Sequence, residues 1–201
     1  MVPLIGTSKA TMHIKEMINQ LANTGLNVLI TGETGVGKEV VAQNLYFNST
    51  NLSGDFIKVN CAALPELLLE SELFGYDKGA FTDAHKKHNG KFINADNGVL
   101  FLDEIGDMSL GLQSKILHAL QDGSFTPLGA DEDIQTNAWI ISATNHILEE
   151  NIIRKKFRED LYYRLNTINI HIPALRHRKE DIPLLLKYYF NQYKMEYSHN
   201  M

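Results

Sequence analysis

Between residues 32 and 39 the chain reads Gly32-Glu33-Thr34-Gly35-Val36-Gly37-Lys38-Glu39. The apolar run Val28-Leu29-Ile30 precedes this segment and predicts a short buried strand, while residues 39–47 predict a helix. Glycines here allow backbone N–H groups to converge on phosphate oxygens, and the start of the helix adds partial positive charge. Lys38 can then reach the outer phosphates of a nucleotide. The segment predicts a phosphate-binding loop; the alternative is a glycine-rich turn that only caps a helix.

The last residue of the segment departs from the usual pattern. The spacing matches the P-loop except that Glu39 stands where Ser or Thr is expected. A hydroxyl at that position normally ligates magnesium, and a carboxylate could hold the metal directly or through water. Because the strand–loop–helix context is intact, phosphate binding remains the favoured interpretation.

An acidic pair, Asp103-Glu104, ends a fully apolar predicted strand, Val99–Leu102. In open parallel sheets, ligands bind beyond the carboxyl ends of the strands, so Lys38 and Asp103 should face one crevice. Asp103 is predicted to hold magnesium through water, and Glu104 to polarise the attacking water. The alternative is an acidic turn that caps the following element.

Helical and strand-like segments alternate along the rest of the chain, which predicts an α/β fold with a five-stranded parallel sheet between helices. The predicted strands lie at residues 28–30, 56–60, 99–102, 138–143 and 167–172, and the predicted helices at 14–21, 39–47, 64–73, after Ser109, and 179–193. Residues 1–172 are assigned to a nucleotide-binding subdomain. Residues 173–201 are assigned to a linker and the first helix of a second subdomain.

Composition favours a soluble globular domain without disulfides or a membrane-spanning segment. The apolar fraction is 44%, the charged fraction 21% and the net charge -5, which is ordinary for a soluble domain and argues against this segment gripping nucleic acid alone. Cys61 is the only cysteine, so an internal disulfide is impossible. No signal peptide or membrane-length apolar run is visible, and a cytoplasmic protein without membrane contact is expected.

Six segments occur in a fixed order: GETGVGKE, VNCAAL, SELFGYDKGAFTDA, GVLFLDEIGDM, ISATN and FREDLYYRLN. Together they resemble the central AAA+ ATPase domain of bacterial enhancer-binding proteins, the activators of sigma-54 RNA polymerase. The similarity runs from about Leu4 to Phe190. It implies an ATPase with ATP and Mg²⁺ bound at the P-loop, and it accounts for Glu39, because an acidic residue is usual there in this family.

The resemblance also implies roles for residues near the predicted crevice. Asn60 would be a switch that hydrogen-bonds Glu104; otherwise it is a polar residue ending a strand. Thr144 and Asn145 would form a sensor. The alternative is that they cap a helix at residues 146–150, and the two roles are compatible. Ile5-Gly6 would contact the adenine side of the nucleotide.

Two arginines, Arg158 and Arg164, would be fingers that reach the ATP of a neighbouring subunit, since a guanidinium suits the charge on a transferring phosphoryl group. Ordinary surface arginines are the alternative. An active site completed between subunits implies a closed ring, usually a hexamer in this family. A monomer is the alternative for this short chain, because only the first helix of the family's C-terminal helical lid is present. The promoter or enhancer DNA would be contacted only through domains outside this sequence.

One loop is expected to contact the partner protein, sigma-54. It comprises Gly79, Ala80, Phe81, Thr82, Asp83 and Ala84. Phe81 and Thr82 are expected at a projecting tip; the alternative is that Phe81 packs in the core. The resemblance implies that this loop contacts sigma-54, but the family has glycine where Asp83 stands, and aspartate tolerates a positive φ less well.

A second functional hypothesis is therefore a nucleotide-dependent AAA+ regulatory or assembly module that does not activate sigma-54. The basic run His85–His88 is predicted to be a solvated helix face.

Overall fold

The computed structural model describes residues 2–198. Its strands are β1 (Val28–Thr31), β2 (Phe56–Asn60), β3 (Gly75–Tyr76), β4 (His88–Asn89), β5 (Val99–Asp103), β6 (Ser124–Phe125), β7 (Ile134–Gln135), β8 (Trp139–Thr144) and β9 (Ile168–His171). Its α-helices are α1 (Lys9–Leu21), α2 (Lys38–Asn48), α3 (Glu66–Phe74), α4 (Lys91–Asn94), α5 (Leu110–Asp122), α6 (Leu148–Ile153), α7 (Glu159–Leu165) and α8 (Ile182–Ser198).

Five parallel strands form the central sheet in the order β2-β5-β8-β1-β9, which confirms the predicted α/β architecture. The central strand β8 lies between β1 and β5. The loops that follow these three strands therefore meet at one edge of the sheet.

Side chains of β5 show how the sheet builds two cores. Val99 and Phe101 belong to a cluster with Ile14 of α1 and Val41 of α2, whereas Leu100 and Leu102 pack with residues of α3, α4, α5, α6 and α7. The alternation follows from the two-residue period of a strand. All four strand residues are fully buried, as expected for a parallel sheet covered on both faces.

The ends of the helices follow local chemistry. Ser109 caps α5 as predicted, because its side chain accepts a hydrogen bond from the N–H of Leu112. The helix predicted at residues 179–193 begins later: Lys179–Asp181 is a 3₁₀ turn, and α8 starts at Ile182. Pro183 lies in the first turn of α8, where its missing N–H has no helical partner to lose.

Two short antiparallel strands, β3 and β4, form the neck of the loop that contains Phe81. Gly75 and Gly90 cross here so closely that a Cβ added at Gly75 would lie 2.4 Å from the carbonyl oxygen of His88. The helix predicted for His85–His88 is wrong. These residues form the returning arm of the loop, and His88 pairs with Tyr76 in the ladder instead of joining a helix.

Among residues 2–198, no helix combines the length and the apolarity that a bilayer-crossing segment requires.

Candidate nucleotide-binding site

The P-loop connects β1 to α2 and wraps around the start of that helix. Gly35 and Gly37 have φ angles of 82° and 104°, in the left-handed region that glycine adopts without strain. Lys38 is 6% exposed, and its Nζ donates to the carbonyl oxygen of Gly32 at 3.0 Å and to Glu104 Oε1 at 3.2 Å. The loop therefore holds the ammonium group of Lys38 at the carboxyl edge of the sheet, as predicted.

Glu104 adopts an unusual backbone conformation where β5 ends. Its φ of 52° lies in the left-handed region, which is uncommon for a residue with a side chain. Glu104 Oε1 accepts from Lys38, and Oε2 accepts from the backbone N–H of Asn145 at 3.0 Å. Such strained residues cluster at functional sites, and this one fixes a carboxylate between two strand ends.

Asn145, directly after β8, connects Glu104 to the P-loop. Its backbone N–H donates to Glu104, and its side-chain Nδ2 donates to Thr34 Oγ1 at 3.0 Å. Thr144 is buried and accepts from the N–H of His146, while α6 begins at Leu148 without a side-chain cap. The helix-capping alternative for Thr144 and Asn145 is therefore wrong.

Glu39 and Asp103, the two predicted magnesium ligands, are drawn together by a lysine that sequence reasoning missed. Lys58 Nζ lies 2.6 Å from Glu39 Oε2 and 3.5 Å from Asp103 Oδ2. Burial lowers the pKa of Lys58, but its contacts with Glu39 and Asp103 outweigh this effect and raise it. Two carboxylates that already hold a cation fit the hard oxygen ligands that magnesium prefers.

Residues 2–198 contain no group of three or more His, Cys, Asp or Glu side chains placed to hold a metal. Magnesium in nucleotide sites is usually bound by one or two carboxylates together with phosphate and water oxygens, and Glu39 and Asp103 could supply such carboxylates.

A cavity of about 430 Å³ opens beside the P-loop. It is lined by Ile5 from the N-terminal segment, by Val36, by Arg178 and by apolar residues of α8. Arg178 is 5% exposed, and its Nη2 donates to the carbonyl oxygen of Val36 at 2.7 Å. An apolar cavity adjoining a phosphate loop is suited to a flat heterocyclic base.

Asp181 secures the N-terminal side of this cavity. Its carboxylate accepts hydrogen bonds from the N–H groups of Thr7 and Ser8 and from the hydroxyls of Ser8 and Thr11. Burial raises the pKa of Asp181, but these hydrogen bonds outweigh it and hold the pKa below its usual range. Gly6 is required beside it, because a Cβ there would lie 2.6 Å from the carboxylate.

The profile of the sigma-54 interaction domain family matches residues 4–171. The chain belongs to that family. It is 48% identical over 189 residues to the anaerobic nitric oxide reductase transcription regulator NorR of Vibrio vulnificus, covering 94% of this chain and 37% of the regulator. It is 45% identical over 195 residues to the DNA-binding transcriptional regulator NtrC of Rhizobium meliloti, covering 97% of this chain and 40% of NtrC.

Solved structures agree with this membership. The chain superposes on NtrX from Brucella abortus in complex with ATP with a TM-score of 0.88 and 36% identity, covering 95% of this chain and 41% of NtrX. The complex of NtrX with ADP gives a TM-score of 0.86. This chain spans about two fifths of the length of these relatives.

In this sigma-54 interaction domain, the predicted hydrogen bond from Asn60 to Glu104 is not formed within the described residues. Asn60 Oδ1 accepts from the N–H of Ala62 at 2.9 Å, while Lys38 and Asn145 occupy the two oxygens of Glu104. Asn60 nevertheless pairs in register with Asp103 at the ends of β2 and β5. Its role as a switch stays a prediction.

The two arginines of the domain's FREDLYYRLN segment are engaged within their own chain. Arg158 forms a two-point ion pair with Asp160, with distances of 3.0 and 2.6 Å. This pairing raises the pKa of Arg158 and lowers that of Asp160. Arg164 donates to the carbonyl oxygen of Leu120. Neither arginine is hydrogen-bonded to the P-loop or Glu104 in the described part. Their action on a neighbouring subunit stays a prediction.

Phe81 lies at the surface of the loop formed by residues 79–84. It is 44% exposed, and its ring meets that of Tyr76 edge-on at 4.8 Å, so the alternative of a core phenylalanine is wrong. The loop closes through a hydrogen bond from the N–H of Gly79 to the carbonyl oxygen of Ala84. Asp83 is not among the described non-glycine residues with positive φ. The substitution at this position therefore does not force aspartate into the left-handed region.

Proposed function

We propose that this domain binds and hydrolyses Mg-ATP and uses the reaction to remodel the sigma-54 RNA polymerase holoenzyme. One observation carries the ATPase proposal: the carboxylate of Glu104 is held between Lys38 of the P-loop and the N–H of Asn145. The membership of the chain in the sigma-54 interaction domain family supports the choice of partner.

Each residue of the site has a separate role in the proposed hydrolysis. The P-loop backbone and Lys38 bind and orient the phosphates, and Glu104 orients the attacking water and accepts its proton. Asn145 restrains Glu104 and, through Thr34, the loop that surrounds the phosphates. Bound magnesium, held by Glu39 and Asp103, would neutralise charge on the phosphates.

We assign Arg158 and Arg164 to the neighbouring subunit's ATP, in a ring of six copies. Arg158 supports this assignment because it is at the surface, about two fifths exposed, and already adopts a forked pairing with a carboxylate. A guanidinium presented in this way can exchange one pair of anionic oxygens for another.

Glu104→Gln tests the ATPase proposal. The variant should bind ATP about as tightly as the parent but hydrolyse it at least about a hundredfold more slowly, because it lacks the general base. Phosphate release and binding of a fluorescent ATP analogue would be measured together. Glu132→Gln, an exposed acidic residue in the turn between β6 and β7, is the matched control. Parent-like hydrolysis by Glu104→Gln would remove Glu104 from the mechanism.

A further inference from the structure

Lys58 lies beside the predicted magnesium ligands, although it is not part of any of the six family segments. It directly precedes one of them, VNCAAL. It lies on β2 two residues before Asn60, so both side chains emerge on the same face of the sheet. That face carries α2, whose first turn contains Glu39. The ladder between β2 and β5 pairs Lys58 with Phe101 and Asn60 with Asp103, which keeps Lys58 close to the end of β5.

The contacts of Lys58 join two carboxylates from different elements. Its Nζ is 2.6 Å from Glu39 Oε2 and 3.5 Å from Asp103 Oδ2. Glu39 is also restrained by Gln43, whose Nε2 donates to its other oxygen at 3.2 Å. The ammonium group of Lys58 is therefore a positive charge between the two carboxylates assigned to magnesium.

Electrostatics explains why such a charge is useful. Two carboxylates directed at one point repel each other, and a cation between them offsets that repulsion. A divalent cation and an ammonium group cannot occupy the same place, and each would repel the other nearby. The lysine thus stabilises the metal-free site and opposes the metal.

We propose that Lys58 is a built-in counter-ion that lies between Glu39 and Asp103, the two carboxylates that would hold magnesium, and lowers the affinity of the site for the metal that comes with a nucleotide. This inference rests on the proposed function. It makes Lys58 a positioning residue rather than a catalytic one. The positive charge of its ammonium group sets how much free magnesium the domain needs before it is loaded.

The test measures metal affinity, with Mn²⁺ as the probe. Electron paramagnetic resonance would follow free Mn²⁺ during titration of the protein–ADP complex, and metal-free ADP affinity would be measured separately. Lys58→Met removes the charge and keeps the length of the side chain, whereas Lys58→Arg keeps the charge. Lys115→Met is the matched control, because Lys115 pairs with Glu70 among the helices of the opposite face.

Lys58→Met should bind Mn²⁺ about tenfold more tightly. The gain is smaller than a fully buried lysine would give, because the Lys58 side chain is 37% exposed and solvent screens its charge. Without metal, its melting temperature should be lower than that of the parent, because Glu39 and Asp103 then repel each other with no ammonium group between them. The separate measurement of metal-free ADP affinity distinguishes an effect on the nucleotide from the effect on the metal. Lys58→Arg and Lys115→Met should bind Mn²⁺ like the parent.

Unchanged or weaker Mn²⁺ binding by a folded Lys58→Met variant would overturn the inference while leaving nucleotide binding in place. If Lys58→Met does not fold, Lys58→Gln is measured in its place with the same expectation. A parent chain that binds no ADP would instead defeat the proposed function, and the inference with it.

Discussion

Thr11 Oγ1 donates a hydrogen bond of 2.6 Å to Asp181 Oδ2, across 170 positions of sequence. Through this bond and those from Thr7 and Ser8, the start of the chain is fastened to the turn before α8. The two segments line the same cavity beside the P-loop. The shape of the cavity therefore depends on one buried carboxylate.

Asp181→Asn should destabilise the domain by about 1–3 kcal/mol, because an amide cannot accept all of the hydrogen bonds that converge on the carboxylate. Urea unfolding at pH 7 measures the loss. Asp131→Asn, at an exposed turn, is the control and should leave the free energy of unfolding unchanged. A loss no greater than that of the control would show that Asp181 does not hold the segment.

The same residue gives a pH signature, whose sign follows from its lowered pKa. An aspartate with a lower pKa in the folded state stabilises that state above the unfolded pKa of about 3.9. This contribution is lost as the pH falls through the folded pKa. The difference in stability between the parent and Asp181→Asn should be complete at pH 7 and shrink below about pH 4. A constant difference down to pH 2 would contradict the assignment.

Phe81→Ala should abolish activation of transcription by a sigma-54 holoenzyme and change ATP turnover less than about twofold, because Phe81 contacts Tyr76 and solvent rather than the P-loop. Transcription and phosphate release would be assayed on the same preparation. Phe47→Ala is a close match, since Phe47 is 47% exposed and also meets one tyrosine edge-on. Normal activation by Phe81→Ala would reject the loop as the contact.

Asp83 offers a way to separate charge from backbone geometry at the loop that is proposed to contact sigma-54. Because Asp83 is not in the left-handed region, Asp83→Asn and Asp83→Gly should strengthen binding to sigma-54 equally if charge is the obstacle. Native gels with ADP and a metal fluoride would compare both with the parent. A gain for glycine alone would point to flexibility. No binding by any of the three, in a chain that assembles, would favour the regulatory or assembly module that does not activate sigma-54.

Mixing two inactive variants tests whether Arg158 acts across a subunit interface. Lys38→Ala lacks the phosphate-binding lysine, and Arg158→Ala lacks the guanidinium; each alone should lose at least about tenfold in turnover. If Arg158 serves a neighbouring site, the mixture should regain part of the activity, because some interfaces then combine an intact P-loop with an intact arginine. Sedimentation would confirm that rings form. An inactive mixture that still forms rings would place Arg158 outside the reaction.

Local sequence was sufficient for some parts of the structure and insufficient for others. The P-loop and β5 could be predicted because glycine spacing and uninterrupted apolar runs act within a few residues. The role of Lys58 could not, since it depends on the register of β2 against β5, which brings Asp103 beside it. Its position two residues before Asn60 was the available signal.

Long-range and loop features were harder to predict. Asp181 binds Thr11 from the segment 179–193, which was predicted only as a helix, and a helix prediction does not reveal which distant residue the segment contacts. The run His85–His88 was misassigned to a helix because charge alone does not reveal that the chain must return to pair with β3. The predicted hydrogen bond from Asn60 to Glu104 is not formed, because Glu104 accepts from Lys38 and from the N–H of Asn145 instead.

The crossing of Gly75 and Gly90 gives the loop that contains Phe81 a narrow base. At this neck the two backbones touch without room for a side chain, so the segment beyond it enters and leaves at nearly one point. Beyond the neck, the loop lies outside the central sheet, and it meets the rest of the chain where the N–H of Asp77 donates to the carbonyl oxygen of Leu128 and where Ala80 lies against Gly129. A substitution at an exposed loop position such as Asp83 therefore alters the surface that the loop presents rather than the P-loop.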